Sequence, residues 1–287
     1  MISAMNPGAF GALSDDYCRY ETAAIAVLPI PYDGTSTWMK GADLGPKAML
    51  DASAHMELYD IETGAEVFRR GIVTVAPVDC PDNPEEMAAA VYQRARTLLR
   101  DRKFVVGVGG EHSVSVGLVR AAAERFPDLS VLQFDAHCDT REAYEGSRFN
   151  HACVMARIGE ICPYVQAGIR SMDVSECAGL KRERTFFAHE IVAGINVVPK
   201  LLKALTQNVY ITIDLDVLDP SIMPSTGTPE PGGLDWYTLL NLLMPVITEK
   251  NVVGMDVTEL LPHPDNRAPD LLAAKLIYRT LSMIFDR

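Results

Sequence analysis

The segment VLQFDAHCDT, residues 131–140, begins as an apolar strand and ends in Asp135, His137 and Asp139. Carboxylates at the end of a buried strand are costly unless something neutralises their charge. Side chains two positions apart on a strand share a face, so Asp135 and His137 are expected to point to one place, with Asp139 following as the chain turns. The segment therefore predicts an interior strand with a charged site at its carboxyl end.

Similar apolar runs recur along the whole chain. We expect strands over residues 23–30, 72–78, 104–109, 129–135, 164–169, 185–188, 209–216 and 252–258. The clearest amphipathic helices are expected over residues 84–101, 112–125, 235–248 and 267–285. Continuous apolar strands separated by helices are typical of a parallel sheet covered on both faces. The sequence thus predicts an α/β fold of three α/β/α layers around a mainly parallel sheet of about eight strands.

Composition narrows the class of protein. The 287 residues are 48% hydrophobic and carry a net charge of −12, which argues against nucleic acid as a partner and is compatible with a cationic small substrate. No apolar run approaches the roughly 20 residues needed to span a bilayer, and the first residues lack the pattern of a secretory signal. The six cysteines form no C-x-x-C pair, which is typical of reduced thiols in a cytoplasmic protein. No repeat or linker divides the chain, so residues 1–287 are predicted to form one domain, with residues 1–22 as an N-terminal extension packed on the surface or on a partner subunit.

Chemically unusual residues follow four of the predicted strands. GVGGEHS, DAHCD, DLDVLDP and DVTE each stand at the end of a strand, and ligands of such sheets bind beyond the carboxyl ends of the strands. Asp214 and Asp216 repeat the two-residue spacing of the first motif, and His112 follows a glycine turn, so we expect four carboxylates and two imidazoles to meet there. These groups are Asp135, Asp139, Asp214, Asp216, His112 and His137.

Four close carboxylates would repel one another, and several would take up protons. Two divalent cations would balance the four negative charges, and shared carboxylates bridge metals about 3.5–4 Å apart. Oxygen and imidazole ligands without thiolate suit Mn²⁺, with Zn²⁺, Co²⁺, Ni²⁺ or Fe²⁺ as alternatives. Cys138 lies inside the motif, but strand alternation turns it away from the ligands, so we interpret it as a packed thiol.

Each of these motifs, taken alone, also has a purely structural interpretation. A lone D-x-D after a strand is usually a turn or a helix cap, and His112 alone could be hydrogen-bonded in a loop. GVGG without a following G-K-[ST] does not support a phosphate loop. The conjunction of D-x-H-x-D, D-x-D and G-G-E-H-S at strand ends favours a metal site.

These motifs, with ITIDLDVLDPSIMPSTGTPEPGG, GMDVTEL and GTSTWMKGADLGPKAML, resemble the signature segments of the ureohydrolase family, the arginases, agmatinases and their relatives. The resemblance implies an arginase-like fold, a homo-oligomer such as a trimer or hexamer, and hydrolysis of a guanidino group to urea and an amine. It implies one metal on His112, Asp135, Asp139 and Asp214, and a second on Asp135, His137, Asp214 and Asp216.

The resemblance also implies roles in catalysis. A hydroxide between the metals would attack the guanidinium carbon, and Asp139 would carry a proton to the departing amine. Glu259 would pair with the planar guanidinium, and His151 would exchange protons with solvent. The structural alternatives are a surface or capping carboxylate for Glu259 and a helix N-terminal residue for His151.

Two departures from the family pattern bear on the substrate. Ala152 and Cys153 follow His151 where agmatinases usually have Gly and Thr, and TREAYEGSRFN replaces the asparagine-bearing loop with which arginases hold the amino-acid head group. We expect agmatine as substrate, with putrescine as product. The alternatives are N1-aminopropylagmatine giving spermidine, guanidinobutyrate, free guanidine, and a catalytically silent metal-binding paralogue. Glu142 and Glu145 could face a cationic substrate end or could be solvated loop charges.

Overall fold

The computed structural model describes residues 8–285. Within that range the strands are β1 (Ile25–Ile30), β2 (Ile72–Thr74), β3 (Phe104–Gly109), β4 (Leu129–Phe134), β5 (Tyr164–Ile169), β6 (Thr185–Phe187), β7 (Asn208–Asp214) and β8 (Asn251–Thr258). The α-helices there are α1 (Asp15–Cys18), α2 (Gly45–Ser53), α3 (Pro84–Arg100), α4 (Ser115–Arg125), α5 (Val154–Gly159), α6 (Ala188–Val192), α7 (Val198–Ala204), α8 (Trp236–Glu249) and α9 (Ala268–Phe285). Short 3-10 helices cover Phe10–Ala12, Ala42–Leu44, Val67–Arg70, His112–Val114, His151–Cys153, Val174–Gly179, Arg182–Arg184 and Leu215–Val217.

The strands form one sheet in the order β2-β1-β3-β8-β7-β4-β5-β6. Every neighbouring pair among the described strands is parallel, which confirms the predicted sheet and extends it from mainly to wholly parallel. The four central strands β3, β8, β7 and β4 are consecutive neighbours. Because they are parallel, their carboxyl ends meet at one edge, and these are the strands that precede the four charged segments.

Helices cover both faces of the sheet. Along β1, Ile25 and Val27 pack into one apolar cluster, whereas Ala26 and Leu28 pack into the other. The first cluster includes residues of α2, α7, α8 and α9, and the second includes residues of α3, α4 and α5. Burying a large aliphatic side chain contributes about 1.5–3 kcal/mol, so two apolar sheet faces require two helical layers. The predicted three-layer α/β/α architecture is confirmed.

Local sequence explains where the best-predicted helices begin. The Asn83 side chain accepts hydrogen bonds from the N–H groups of Glu85 and Glu86, and Pro84 occupies the first turn of α3. The helix predicted from residue 112 differs, because α4 begins at Ser115 after the 3-10 turn His112–Val114. The His112 N–H in that turn donates to Glu259 Oε1 at 2.7 Å, so the turn is fixed by the site.

Other elements differ more from expectation. The strand predicted over residues 72–78 ends at Thr74, although Val75 and Val78 still donate to carbonyl groups of β1. Helices α2, α5, α6 and α7 were not among the clear amphipathic patterns, and all four have nine residues or fewer. Short helices supply too few turns for a periodic pattern to stand out.

The N-terminal segment is described from Gly8 onward, and residues 1–7 of the predicted extension lie outside the described residues. Phe10 is buried, its N–H donates to Thr74 Oγ1 at 2.8 Å, and the Gly11 N–H donates to Ser53 Oγ at 2.8 Å. The described part of the segment therefore packs on its own chain. All six cysteines are unpaired, and no helix within residues 8–285 has the length and apolar character needed to cross a bilayer.

Candidate metal centre and active site

The charged residues converge where the four central strands end. Asp135 follows β4, Asp214 ends β7, and Glu259 follows β8. His112 comes after β3 and Gly110, where a β-carbon would lie 2.0 Å from the Tyr32 carbonyl oxygen, so only glycine allows this close approach. The glycine turn thereby sets His112 beside carboxylates from the neighbouring strands.

A first cluster surrounds the His112 ring. His112 Nδ1 lies 3.0 Å from Asp135 Oδ2, 3.2 Å from Asp139 Oδ2 and 3.4 Å from Asp214 Oδ2. All four residues are buried. Three carboxylates and one imidazole thus meet around a single point.

A second cluster adjoins the first. His137 Nδ1 lies 2.8 Å from Asp216 Oδ2 and 3.6 Å from Asp135 Oδ1. Asp135 therefore directs one oxygen towards each cluster, and Asp214 Oδ1 accepts the Asp216 N–H at 2.9 Å. In the triads His112, Asp135, Asp139 and Asp135, His137, Asp216, the candidate ligand atoms lie within 4.8 Å of one another. The structure brings all six predicted ligands together.

The hydrogen bonding of the two His112 ring nitrogens indicates whether the site fits a metal. Buried Nδ1 makes no hydrogen bond despite its three carboxylate neighbours, whereas Nε2 lies 2.9 Å from Thr212 Oγ1. The Thr212 hydroxyl donates to Asp256 Oδ1 at 2.7 Å, so it accepts the proton of Nε2–H. Nδ1 then presents a lone pair to the carboxylate cluster. This arrangement fits a divalent cation held by imidazole and carboxylate groups.

Burial and mutual repulsion shift the titration of the cluster. Burial, reinforced by the nearby Asp135 charge, raises the pKa of Asp139 to about 7, and burial together with Asp216 raises the pKa of Asp214 well above its ordinary value. Burial opposes ionisation of His112, but Asp135 and Asp139 raise its pKa well above 6.5. Protons on these groups compete with a metal, and a bound divalent cation would displace them.

A buried hydrogen-bond network orients His112 on the side of Nε2. Asp256, fully buried in β8, accepts hydrogen bonds from Ser115 at 3.0 Å, Thr212 at 2.7 Å and Tyr210 at 2.8 Å. The carboxylate thereby orients the Thr212 hydroxyl that holds His112 Nε2. Outer groups of this kind orient the ligands of metal sites.

Glu259 is anchored in a strained backbone conformation. Its φ is 67°, which an L-residue rarely adopts, and its N–H donates to the Gly110 carbonyl at 2.7 Å. Oε1 accepts the His112 N–H at 2.7 Å, and the side chain lines the cavity above the two clusters. Burial, followed by the Glu111 charge, raises the pKa of Glu259 well above its ordinary value. The carboxylate lies next to the first cluster and faces open space.

His151 also lines the cavity, in the 3-10 turn after Asn150. Its Nδ1 is 3.2 Å from Thr35 Oγ1, and its N–H donates to the same oxygen at 2.9 Å. Burial lowers the pKa of His151 to about 4. The ring is therefore neutral at pH 7.

The cavity above the clusters has a volume of about 290 Å³ and is open to solvent. Its outer wall includes Trp38, which is 75% exposed, and the carboxylate of Asp173. Arg141 also lines the wall, where its guanidinium carbon lies 4.3 Å from the Tyr144 ring centre and its Nε lies 3.9 Å from Glu176 Oε2. Arg141 thus has a carboxylate and an aromatic ring of its own chain beside its guanidinium.

Comparison with known proteins adds to this geometry. The Arginase family model matches residues 23–282. The chain is 39% identical to the N(1)-aminopropylagmatine ureohydrolase of Synechocystis sp., over 93% of this chain and 91% of that protein. It is 41% identical to the N(1)-aminopropylagmatine ureohydrolase of Thermus thermophilus, over 92% and 91%. The agmatine ureohydrolase of Thermoplasma volcanium superposes with a TM-score of 0.84 at 29% identity, over 94% and 93% of the two chains.

The chain belongs to the arginase family. Membership confirms the predicted family, its arginase-like fold and the prediction of a hydrolase. Within this arginase-family site, Glu142 and Glu145 are the exposed loop charges that one of the two sequence interpretations predicted. Glu142 and Glu145 do not line the cavity, and the Glu142 side chain is 78% exposed and paired with Arg157 and Arg148. Asp173 and Trp38 occupy the outer wall instead.

Sequence reasoning gave no role to several residues that the fold places at the site. Glu111 and Asp256 lie inside the quoted motifs GGEHS and GMDVTEL. Their position in motifs that contain predicted site residues could have identified them from the sequence. Thr35 and Trp38 lie about one hundred residues before His151, and only the folded structure brings them to it. Cys138 is a buried thiol whose pKa is raised by burial, consistent with a packed side chain.

Proposed function

We propose that this protein hydrolyses the guanidino group of N1-aminopropylagmatine to urea and spermidine. The observation that carries the proposal is the cavity whose lining joins Glu259 and the His/Asp clusters to two exposed residues, Trp38 and Asp173. A guanidinium at the inner end leaves the polyamine arm to extend towards an aromatic face and a carboxylate, both of which attract ammonium groups. The two relatives at 39% and 41% identity, both named for this substrate, support the choice.

The metal centre is proposed to hold two Mn²⁺ ions. His112, Asp135, Asp139 and Asp214 would hold one ion, and Asp135, His137, Asp214 and Asp216 the other, with Asp135 and Asp214 shared. Two such cations supply Lewis acidity and lower the pKa of water towards neutrality. Oxygen and nitrogen ligands without thiolate favour Mn²⁺.

The protein's own side chains would bind the substrate and move protons. Oε1 of Glu259 accepts the His112 N–H, so Oε2 would accept hydrogen bonds from the N–H groups of the guanidinium. Asp139 lies beside His112 in the first cluster, and it would carry a proton to the leaving nitrogen. Neutral His151 would exchange protons between the cavity and solvent.

Agmatine is the second candidate substrate, as the sequence predicted. The superposition on the agmatine ureohydrolase of Thermoplasma volcanium favours it, and the inner cavity would treat both guanidino groups alike. The candidates differ only by an aminopropyl arm. Guanidino acids such as arginine or 4-guanidinobutyrate carry a carboxylate that needs a cation, and Arg141, which lines the cavity, already lies beside Glu176 and Tyr144.

The test is urea release by Mn²⁺-reconstituted protein from N1-aminopropylagmatine, agmatine, arginine and 4-guanidinobutyrate. The proposal expects the highest kcat/KM with N1-aminopropylagmatine. A higher value with agmatine would assign the second candidate. Asp139→Asn should abolish urea release while metal stays bound. A metal-loaded wild-type protein that hydrolyses none of these compounds would instead be the catalytically silent paralogue. A homo-oligomer, such as a trimer or hexamer, and a cytoplasmic location stay predictions.

A further inference from the structure

A fully buried carboxylate next to the metal centre has no role in the proposed chemistry. Glu111 Oε2 accepts the Thr35 N–H at 2.7 Å, and the Thr35 hydroxyl lies 2.8 Å from Oε1 and 2.7 Å from Oε2. The Ser113 hydroxyl donates to Oε1 as well. Three donors therefore converge on one carboxylate, which is the acceptor in each bond.

The Thr35 hydroxyl also contacts His151. A hydroxyl donates one hydrogen bond and accepts two. Its proton goes to Glu111, one lone pair accepts the His151 N–H at 2.9 Å, and the other faces His151 Nδ1 at 3.2 Å. The contact with Nδ1 is a hydrogen bond only if Nδ1 carries the proton.

We propose that Glu111 and Thr35 act together as a positioning relay that holds His151 in the Nδ1–H tautomer, with Nε2 as the basic nitrogen at the cavity. The His151 ring lines the cavity, and Nδ1 rather than Nε2 is the ring atom in contact with Thr35 Oγ1. Thr35 is thus a positioning residue that acts through His151. The catalytic consequence rests on the proposed function, whereas the tautomer can be measured without it.

The geometry also explains why one oxygen fixes the ring so firmly. Thr35 Oγ1 holds both the backbone and the ring of His151, and Tyr144 packs edge-on against the ring at 6.2 Å between centres. A rotation of the ring by 180° would place a carbon against Thr35 Oγ1 and lose the hydrogen bond. The relay therefore selects both the rotamer and the tautomer of the base.

The matched variants are Thr35→Val, which removes the hydroxyl, and Thr35→Ser, which keeps it. Thr97→Val on the exposed face of α3 controls for the substitution itself. Because general acid–base groups contribute about 10²–10⁴-fold, Thr35→Val should lower kcat by about 10-fold or more, without exceeding the loss in His151→Gln. KM should be unchanged, and Thr35→Ser should restore kcat.

The tautomer is read from ¹⁵N chemical shifts of histidine-labelled, Zn²⁺-loaded protein, with His151→Gln assigning the signal. Zn²⁺ avoids the line broadening of Mn²⁺. Wild type and Thr35→Ser should show Nδ1–H, and Thr35→Val should show Nε2–H or a mixture. An Nε2–H signal in wild type, an unchanged tautomer in Thr35→Val, or a shifted tautomer at full kcat would each overturn the proposal. If wild type hydrolyses no guanidino compound, the proposed function fails, but the ¹⁵N spectra still decide the relay.

Discussion

Removing the Thr212 hydroxyl should weaken metal binding without touching a metal ligand. Thr212 is buried in β7, accepts the His112 Nε2–H at 2.9 Å and donates to Asp256 at 2.7 Å. Thr212→Val keeps the shape of the side chain but leaves Nε2–H without a partner and removes one of three donors to Asp256. The His112 ring then loses the contact that fixes its orientation.

The size of the effect follows from these lost contacts. Loss of an outer group that orients a metal ligand typically costs 10- to 100-fold in affinity, which corresponds to about 1.4–2.7 kcal/mol. An unsatisfied buried donor costs about 1–3 kcal/mol in the free energy of unfolding. We therefore expect Mn²⁺ affinity to fall by about 10- to 100-fold, together with a lower thermal midpoint.

Isothermal titration with Mn²⁺ and thermal unfolding with and without the metal measure both effects. The structure provides a matched control in Thr280 of α9, which is equally buried but whose Oγ1 makes no hydrogen bond within residues 8–285. Thr280→Val exchanges the same atoms without losing a bond and should leave Mn²⁺ affinity unchanged. Equal Mn²⁺ affinities for Thr212→Val and wild type would refute the role of the Asp256–Thr212–His112 network.

Three further outcomes are expected. Glu259→Gln should lower kcat/KM by about 10- to 150-fold, since a hydrogen bond to a charged group contributes about 1.5–3 kcal/mol, and steady-state urea release measures it. Asp173→Asn should raise KM for N1-aminopropylagmatine by up to about fivefold, because an exposed ion pair contributes at most about 1 kcal/mol, and should leave KM for agmatine unchanged. An equal effect on both substrates would show that the aminopropyl arm does not bind at Asp173. His151 has its pKa lowered to about 4 by burial, so as pH falls below about 6.5 the unfolded chain takes up the proton first and stability declines towards pH 4. His151→Gln should therefore show a smaller drop in thermal midpoint between pH 7 and pH 5 than wild type.

Much of the fold was predictable because apolar runs mark interior strands. All eight predicted strands are present, and the site segments meet because parallel strands direct their carboxyl ends to one edge. The order of strands was not predictable, because continuous apolar runs such as β7 and β8 do not specify their neighbours. That order decides that β3, β8, β7 and β4 lie side by side.

The outer cavity was the least predictable part of the site. Glu142 and Glu145 stand in the loop between the ligand motif and His151, and the sequence left open whether they contact the substrate or are solvated loop charges. In the folded chain, Glu142 pairs with Arg157, whose side chain is only 3% exposed beneath the loop. A buried guanidinium requires a carboxylate partner, and sequence does not reveal which arginine is buried.

The GGEHS segment connects the separate parts of the active site. The Gly110 carbonyl and the His112 N–H both bind Glu259, so the carboxylate proposed to hold the guanidinium is fixed to the backbone that carries a proposed metal ligand. Glu111, between them, holds Thr35 and through it His151. The φ of 67° at Glu259 is a strained conformation that costs about 1–3 kcal/mol, and these two hydrogen bonds offset it. A shift of this five-residue segment would move Glu259, His112 and His151 together. The segment therefore preserves the relative positions of the proposed substrate-binding carboxylate, metal ligand and proton carrier.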